Sequence, residues 1–197
     1  MLSFPNAKIN IGLYVTGKRA DGYHSLESIF YPIPLTDALE IIQGQEFSFE
    51  MEGPELTAAP EENLCVKAYR LLEKAYGLDP VQMFLLKKIP SGAGLGGGSA
   101  DASFTLKMLN NHFQLKLSDE KLEELAAKLG SDCPFFIKNN AAYVSGRGEI
   151  MQAVPFSLDG IHITLIHPGI HISTQEAYAH IKPSPAKISL REAISLP

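Results

Sequence analysis

Ten residues concentrate the chemistry of this 197-residue chain: Pro90-Ser91-Gly92-Ala93-Gly94-Leu95-Gly96-Gly97-Gly98-Ser99, five of them glycine. Glycine lets successive backbone N–H groups turn toward one point without interference from a Cβ. A helix is expected to follow at once, with Ser99 as its N-cap and Asp101 in its first turn. The free N–H groups and the positive dipole end of that helix face the same point, which makes an anion site suited to a polyphosphate. The Ser99 hydroxyl can contact phosphate or a bound Mg2+. The loop is not a Walker A motif, because no Gly-Lys-Ser/Thr closes it. It matches G-x-G-x-x-G at Gly92, Gly94 and Gly97. A dinucleotide-binding unit would need an acid closing a second strand about 20 residues on, however. The acids near that distance, Asp119 and Glu120, open a helix instead.

The elements that must hold this loop are legible from periodicity. Residues 7–15 alternate, with Ala7, Ile9, Ile11, Leu13 and Val15 on one face and Lys8, Asn10, Gly12 and Tyr14 on the other, the signature of a strand. Gly17 to Gly22 is turn chemistry. Further strands are expected at 26–33, 36–43, 46–51 and 81–89, then at 135–137, 141–145 and 161–166. The acid-, Pro- and Ala-rich stretch 53–62 and the Pro183 to Pro185 stretch read as loops. Helical spacing begins at Asn63, with Gly77 as its stop, and recurs through Ala102, Leu106, Leu109 and Phe113. Ser118 opens another helix, with Leu122, Leu125, Ala126 and Leu129 on its buried stripe and Gly130 at its end. Strands and helices mix without strict βαβ alternation, which favours α+β over a doubly wound sheet.

Composition narrows the function classes. The chain is 45% hydrophobic and 20% charged with a formal net charge of -5, the profile of a globular protein without the basic balance of nucleic-acid binders. No nucleic-acid partner and no membrane partner are expected, since no apolar run approaches a membrane span. Any anionic substrate must be met by local features. Cys65 and Cys133 lie outside any CxxC or Cys/His cluster, so no zinc site is indicated and no metal ligand is assigned. Two isolated cysteines leave a disulfide open, but without a secretion signal they point to a reducing, cytoplasmic setting. Oligomeric state is not legible.

The loop Pro-x-x-x-Gly-Leu-Gly-Gly-Gly-Ser-Ala resembles the phosphate-binding motif of the GHMP kinases. The opening Pro5-Asn6-Ala7-Lys8-Ile9-Asn10-Ile11-Gly12-Leu13, with Arg19-Ala20-Asp21-Gly22-Tyr23-His24 and Leu26-Glu27-Ser28, is similar to that of the diphosphocytidyl-methylerythritol kinases within them. Glu62-Asn63-Leu64, Gly130-Ser131-Asp132-Cys133-Pro134, Gly146-Arg147-Gly148-Glu149 and His167-Pro168-Gly169 fit in the same order.

The resemblance implies an α+β GHMP fold, with an ATP-binding domain over 1–155 and the beginning of a second, incomplete domain over 156–197. It implies phosphorylation of the 2-hydroxyl of a cytidine diphosphate-linked methylerythritol, with ATP and Mg2+ as cofactors. Asp132 is then the catalytic base and Lys8 its partner. Asn63, Pro90, Gly92, Gly94, Leu95, Gly96, Gly97, Gly98 and Ser99 bind ATP. Asn10, Tyr23, His24, Thr174 and Tyr178 bind the substrate. Tyr178 stands where the family often has Phe, and Cys133 where it more often has Val, a packing position. The family's third motif, a small-residue loop of Gly-Ser-Gly type, does not occur here, so an exposed apolar face is expected on strand 161–166. Two alternatives stay open: a GHMP kinase for a different small alcohol, and an inactive truncated relative that kept nucleotide binding.

Overall fold

The computed structural model describes residues 1–20, 22, 24–53, 60–169, 181, 183 and 188–194. Strands and helices are mixed, as expected for an α+β protein. The strands are β1 (Leu2–Ser3), β2 (Asn6–Lys18), β3 (His24–Thr36), β4 (Ala38–Gln43), β5 (Ser48–Glu52), β6 (Val81–Leu86), β7 (Ala142–Ser145) and β8 (Ile150–Ala153). The helices are α1 (Leu64–Tyr76), α2 (Gly97–His112), α3 (Asp119–Ala126), α4 (Phe135–Lys138) and α5 (Leu190–Ala193), with a 3-10 turn at Pro60–Glu62. No described helix is long and apolar enough to cross a membrane.

Two compact units share the chain. The first comprises Met1–Lys8, Pro32–Ser91 and Leu95–Asn139. Its sheet runs β1-β4-β6-β5. The pairs are antiparallel except β5 with β6, which runs parallel and sets Phe49 opposite Met83. Alternation along β4 and β6 sends Leu39, Ile41, Val81, Met83 and Leu85 inward. They meet Cys65, Ala68, Tyr69 and Leu72 of α1, Leu106 and Leu109 of α2, and Leu122 and Leu125 of α3 in one core. Burying each large aliphatic side chain stabilises the fold by about 1.5–3 kcal/mol.

Helix ends in this unit follow the local signals at two places. Asn63 Oδ1 accepts from Cys65 N–H at 2.8 Å, and Gly77 closes α1 at φ 67°. Ser118 Oγ accepts from Lys121 N–H to start α3. At α2 the boundary moves. The cap is Gly96 rather than Ser99, so Ser99 lies inside the first turn and Asp101 turns into the interior, 2% exposed. The expected strand at 135–137 is a helical turn instead. Pro134 already holds helical φ and ψ, the three apolar side chains are all buried, and Asn139 in the left-handed region ends it. A short apolar run reads alike in either structure when every side chain is buried.

The second unit comprises Ile9–Tyr31, Gly92–Gly94 and Asn140–Pro197. The second sheet, β2-β3-β7-β8, supplies most of its strands, with Ile29 opposite Tyr143 and Val144 opposite Met151. Gly12 has φ 70°, its carbonyl accepts from Ser28 Oγ at 2.9 Å, and Leu190 of α5 packs directly over it. Beside that break in the pleat Leu13 and Tyr14 are exposed, so the alternating face is buried only in part. Residues 161–166 form no strand. Periodicity prepares an amphipathic strand, but a ladder needs a neighbour's N–H and C=O groups, and no described strand pairs with it. Its apolar side chains stay in solvent, Ile166 87% exposed.

Candidate active site

Lys8 is the residue that the tertiary structure changes most. On the polar side of a strand it reads as solvated, yet it is 3% exposed. Its backbone N–H donates to Leu95 O at 2.9 Å, tying β2 to the glycine-rich loop. Its stem runs beneath Gly96, where an added Cβ would stand 3.2 Å from Lys8 Cγ and 2.9 Å from Phe136 Cζ. Gly96 holds φ 71°, a conformation that a side chain would strain, so both space and backbone demand glycine there.

The ammonium of Lys8 ends 3.5 Å from Asp132 Oδ2, whose side chain is 31% exposed. Burial pulls the Lys8 pKa below the ordinary lysine value, and the Asp132 carboxylate opposes that shift. The pair therefore sets a dry ammonium beside a carboxylate that still reaches solvent. Ser131 Oγ donates to Asp132 Oδ1 at 3.4 Å.

The turn carrying Asp132 is braced against α2. Ser103 Oγ donates to Cys133 O at 2.6 Å. A Cβ added at Gly130 would stand 3.2 Å from Cys133 Sγ and 3.9 Å from Ser99 Oγ, so the start of α2 and this turn are in close approach. Burial pushes the Cys133 thiol up to about 11, with the Ser99 hydroxyl opposing, which leaves an inert packing thiol rather than a nucleophile. Both cysteines are free and buried.

One helix end faces another nearby. A Cβ on Gly98 would meet Leu64 Cδ1 at 3.8 Å, next to the Asn63 cap. Lys8, Leu95, Gly96, Gly97, Gly98, Ser99, Asp132, Pro90 and Asn63 thus all belong to the first unit. Gly92 (φ 68°) and Gly94 (φ 73°) have the left-handed conformations expected of a cradle and are counted with the second unit. So are Asn10, exposed on β2, and His24, half-buried at the start of β3. Tyr23, Thr174 and Tyr178 lie outside the described residues.

Sequence reasoning missed one buried constellation. Lys87 Nζ donates to Asp37 Oδ2 and, at 2.8 Å, to Asp101 Oδ2. Sequence reading sets Asp37 and Lys87 only inside the expected strands 36–43 and 81–89, so neither carries a signal of its own. For Mg2+, no group of three or more His, Cys, Asp or Glu is gathered among the described residues.

Residues 63–140 match the family described as GHMP kinases N terminal domain. The chain is 53% identical to the 4-diphosphocytidyl-2-C-methyl-D-erythritol kinase of Bacteroides thetaiotaomicron, with 100% of the chain and 73% of that protein covered. It is 47% identical to the enzyme of the same name from Cytophaga hutchinsonii, with the same coverage. Among solved structures it superposes on a 4-(cytidine 5'-diphospho)-2C-methyl-D-erythritol kinase with TM-score 0.71 and 29% identity, over 99% of this chain and 77% of that one. It shares its fold with the mevalonate kinase of Methanococcus jannaschii at TM-score 0.57 and 16% identity, over 78% of this chain and 55% of that one.

Proposed function

This chain belongs to the 4-diphosphocytidyl-2-C-methyl-D-erythritol kinases, a branch of the GHMP kinases, and from that premise we propose how its residues divide the work. The reaction is transfer of the γ-phosphoryl group of ATP to the 2-hydroxyl of the cytidylylated methylerythritol, a step of isoprenoid synthesis. Asp132 Oδ2 accepts the hydroxyl proton. The freed alcohol oxygen bonds to the γ-phosphorus, the bond from that phosphorus to the β,γ-bridging oxygen breaks, and ADP leaves. Lys8 holds Asp132 ionised and stabilises the charge that grows on the alcohol oxygen. The N–H groups of the glycine-rich loop and of the first turn of α2 hold the phosphates.

Ser99 Oγ would contact the phosphates or a Mg2+ bound to them. Such an ion would supply neutralisation of the phosphate charge. Asn63, Pro90, Gly92, Gly94, Leu95, Gly96, Gly97, Gly98 and Ser99 bind ATP. Asn10, Tyr23, His24, Thr174 and Tyr178 take the cytidine and erythritol ends. Residues 1–155 act as the ATP-binding domain and 156–197 belong to the C-terminal GHMP domain, in a cytoplasmic enzyme.

The observation that carries this reading is the Lys8–Asp132 pair at 3.5 Å, with Lys8 stacked under Gly96 of the phosphate loop. The test follows ADP release from ATP and Mg2+ with the cytidylylated alcohol, for the protein and for Asp132→Asn. Substrate-dependent release that the substitution abolishes is expected. Absence of turnover, or turnover untouched by the substitution, defeats the proposal.

A further inference from the structure

We propose that Asp37, Lys87 and Asp101 form a buried clamp that sets the geometry of the nucleotide cradle, with Asp37 as its hub; this rests on the kinase reading above.

The argument begins from connectivity. Asp37 lies between β3 and β4 and is 1% exposed. Its Oδ1 accepts from Lys88 N–H at 2.5 Å and from Ile89 N–H at 2.9 Å, the last two residues before Pro90 opens the loop. Its Oδ2 accepts from Lys87 Nζ, which also donates to Asp101 on α2, the helix that follows the loop. Its own N–H donates to Pro5 O at 2.9 Å, just before the strand that carries Lys8. The carboxylate therefore fixes the stem entering the loop, and the residue's backbone N–H ties it to the chain leading to Lys8. Through Lys87 it also fixes the helix leaving the loop.

The placement of the ammonium needs a reason other than stability. A Cβ added at Gly97 would stand 3.1 Å from Lys87 Nζ, so a lysine lies beneath the first residue of α2. A cation at a helix N-terminus opposes the dipole, and three buried charges together are more often matched than bettered by apolar residues of similar size. Two carboxyl groups share one ammonium. Asp101 Oδ1 is buried and takes no hydrogen bond from a described residue. Such a cluster is directional: it holds backbone N–H groups and a helix at fixed positions, which apolar packing does loosely. A displacement of the order of 1 Å in a phosphate cradle is enough to cost about 10²-fold in function. These residues touch neither substrate by this account; they act through the loop, as positioning residues.

The experiment measures binding of a non-hydrolysable ATP analogue by titration calorimetry, alongside steady-state kinetics, for the wild type, Lys87→Met and Lys87→Arg. The Lys87→Met protein is expected to bind the analogue about tenfold more weakly, with the KM for the cytidylylated alcohol unchanged within about twofold. Lys87→Arg, which keeps the charge and its two carboxylate partners, is expected to recover part of that loss. A folded Lys87→Met protein with wild-type analogue affinity overturns the proposal, as does an equal weakening toward both substrates. Should Lys87→Met fail to fold, Asp101→Asn decides. It keeps a hydrogen-bond acceptor for Lys87, and unchanged analogue affinity with an unchanged pH profile of that affinity overturns the clamp. A wild type that binds no analogue at all removes the kinase reading itself, which separates the two failures.

Discussion

The ammonium of Lys8 and the carboxylate of Asp132 stand 3.5 Å apart, the first sealed from solvent and the second partly open to it. This asymmetry separates function from stability. Asp132 can be hydrated if its partner is removed, whereas Lys8 bears the cost of burial at neutral pH. Lys8→Met is therefore expected to lower turnover by about 10²–10³-fold. The melting temperature should stay at or above that of the wild type. The sign follows from the lowered Lys8 pKa, which makes the buried ammonium a burden below that pKa that eases as pH rises through it toward the unfolded value. A large fall in melting temperature by scanning calorimetry would contradict this.

Asp132→Asn should leave nucleotide affinity intact and reduce turnover by about 10²–10⁴-fold, the range of a positioned general base. Calorimetric titration of the ATP analogue beside turnover rates separates the two effects. Weaker analogue binding would assign Asp132 to the phosphate site rather than to the alcohol.

Gly96→Ala places a methyl group 2.9 Å from Phe136 Cζ and 3.2 Å from Lys8 Cγ at φ 71°. Strain and overlap together should destabilise the fold by about 1–3 kcal/mol. Because Lys8 is one of the atoms displaced, turnover should fall further than stability accounts for. Denaturant titration at the assay temperature, set beside the kinetics, checks this.

Burial pushes the Asp101 carboxyl up to about 7, with Lys87 opposing and Asp37 adding to the rise. Burial also pulls the Lys87 ammonium down, and the two carboxylates more than offset it, so its pKa ends above the usual lysine value. Among the groups packed against Asp101, Cys65 of α1 keeps its thiol neutral, its pKa raised first by burial. A carboxyl with a raised pKa contributes stability that is full below its unfolded value of about 4 and lost as pH rises through its folded one. Stability should thus decline from pH 4 toward pH 7 through this residue. In Asp101→Asn that component should vanish from the difference between the two stability–pH curves. Parallel curves for the two proteins would refute it.

Asn63→Ala removes the cap of α1 and its 2.8 Å bond to Cys65 N–H, which should cost about 1 kcal/mol. If Asn63 also meets the nucleotide, analogue affinity falls beyond what the stability loss explains. Asn63→Ser, which still caps a helix, should restore stability without restoring affinity.

Much of the fold was open to sequence reading where the signal is local. Asn63 and Ser118 cap helices where their side-chain chemistry puts them, and Gly77 ends α1 in the left-handed conformation. β2 covers the stretch whose period of two predicts a strand. Reading failed where burial is complete on all sides or absent altogether. Residues 135–137 carry no period to distinguish a turn of helix from a strand, and 161–166 alternate as a strand does without a described strand beside them to complete a ladder.

What the sequence determined alone was a glycine-rich loop, a helix directly after it, and a motif order that identifies the kinase family. What only the tertiary structure decided was which charges are buried and whom they meet. Lys8 became a dry partner of Asp132, and Asp101 left the expected helix end to join Lys87 and Asp37. The reason is that backbone periodicity is a property of neighbouring residues. The cost of burying a charge, and the partner that offsets it, are settled by segments far apart in the chain.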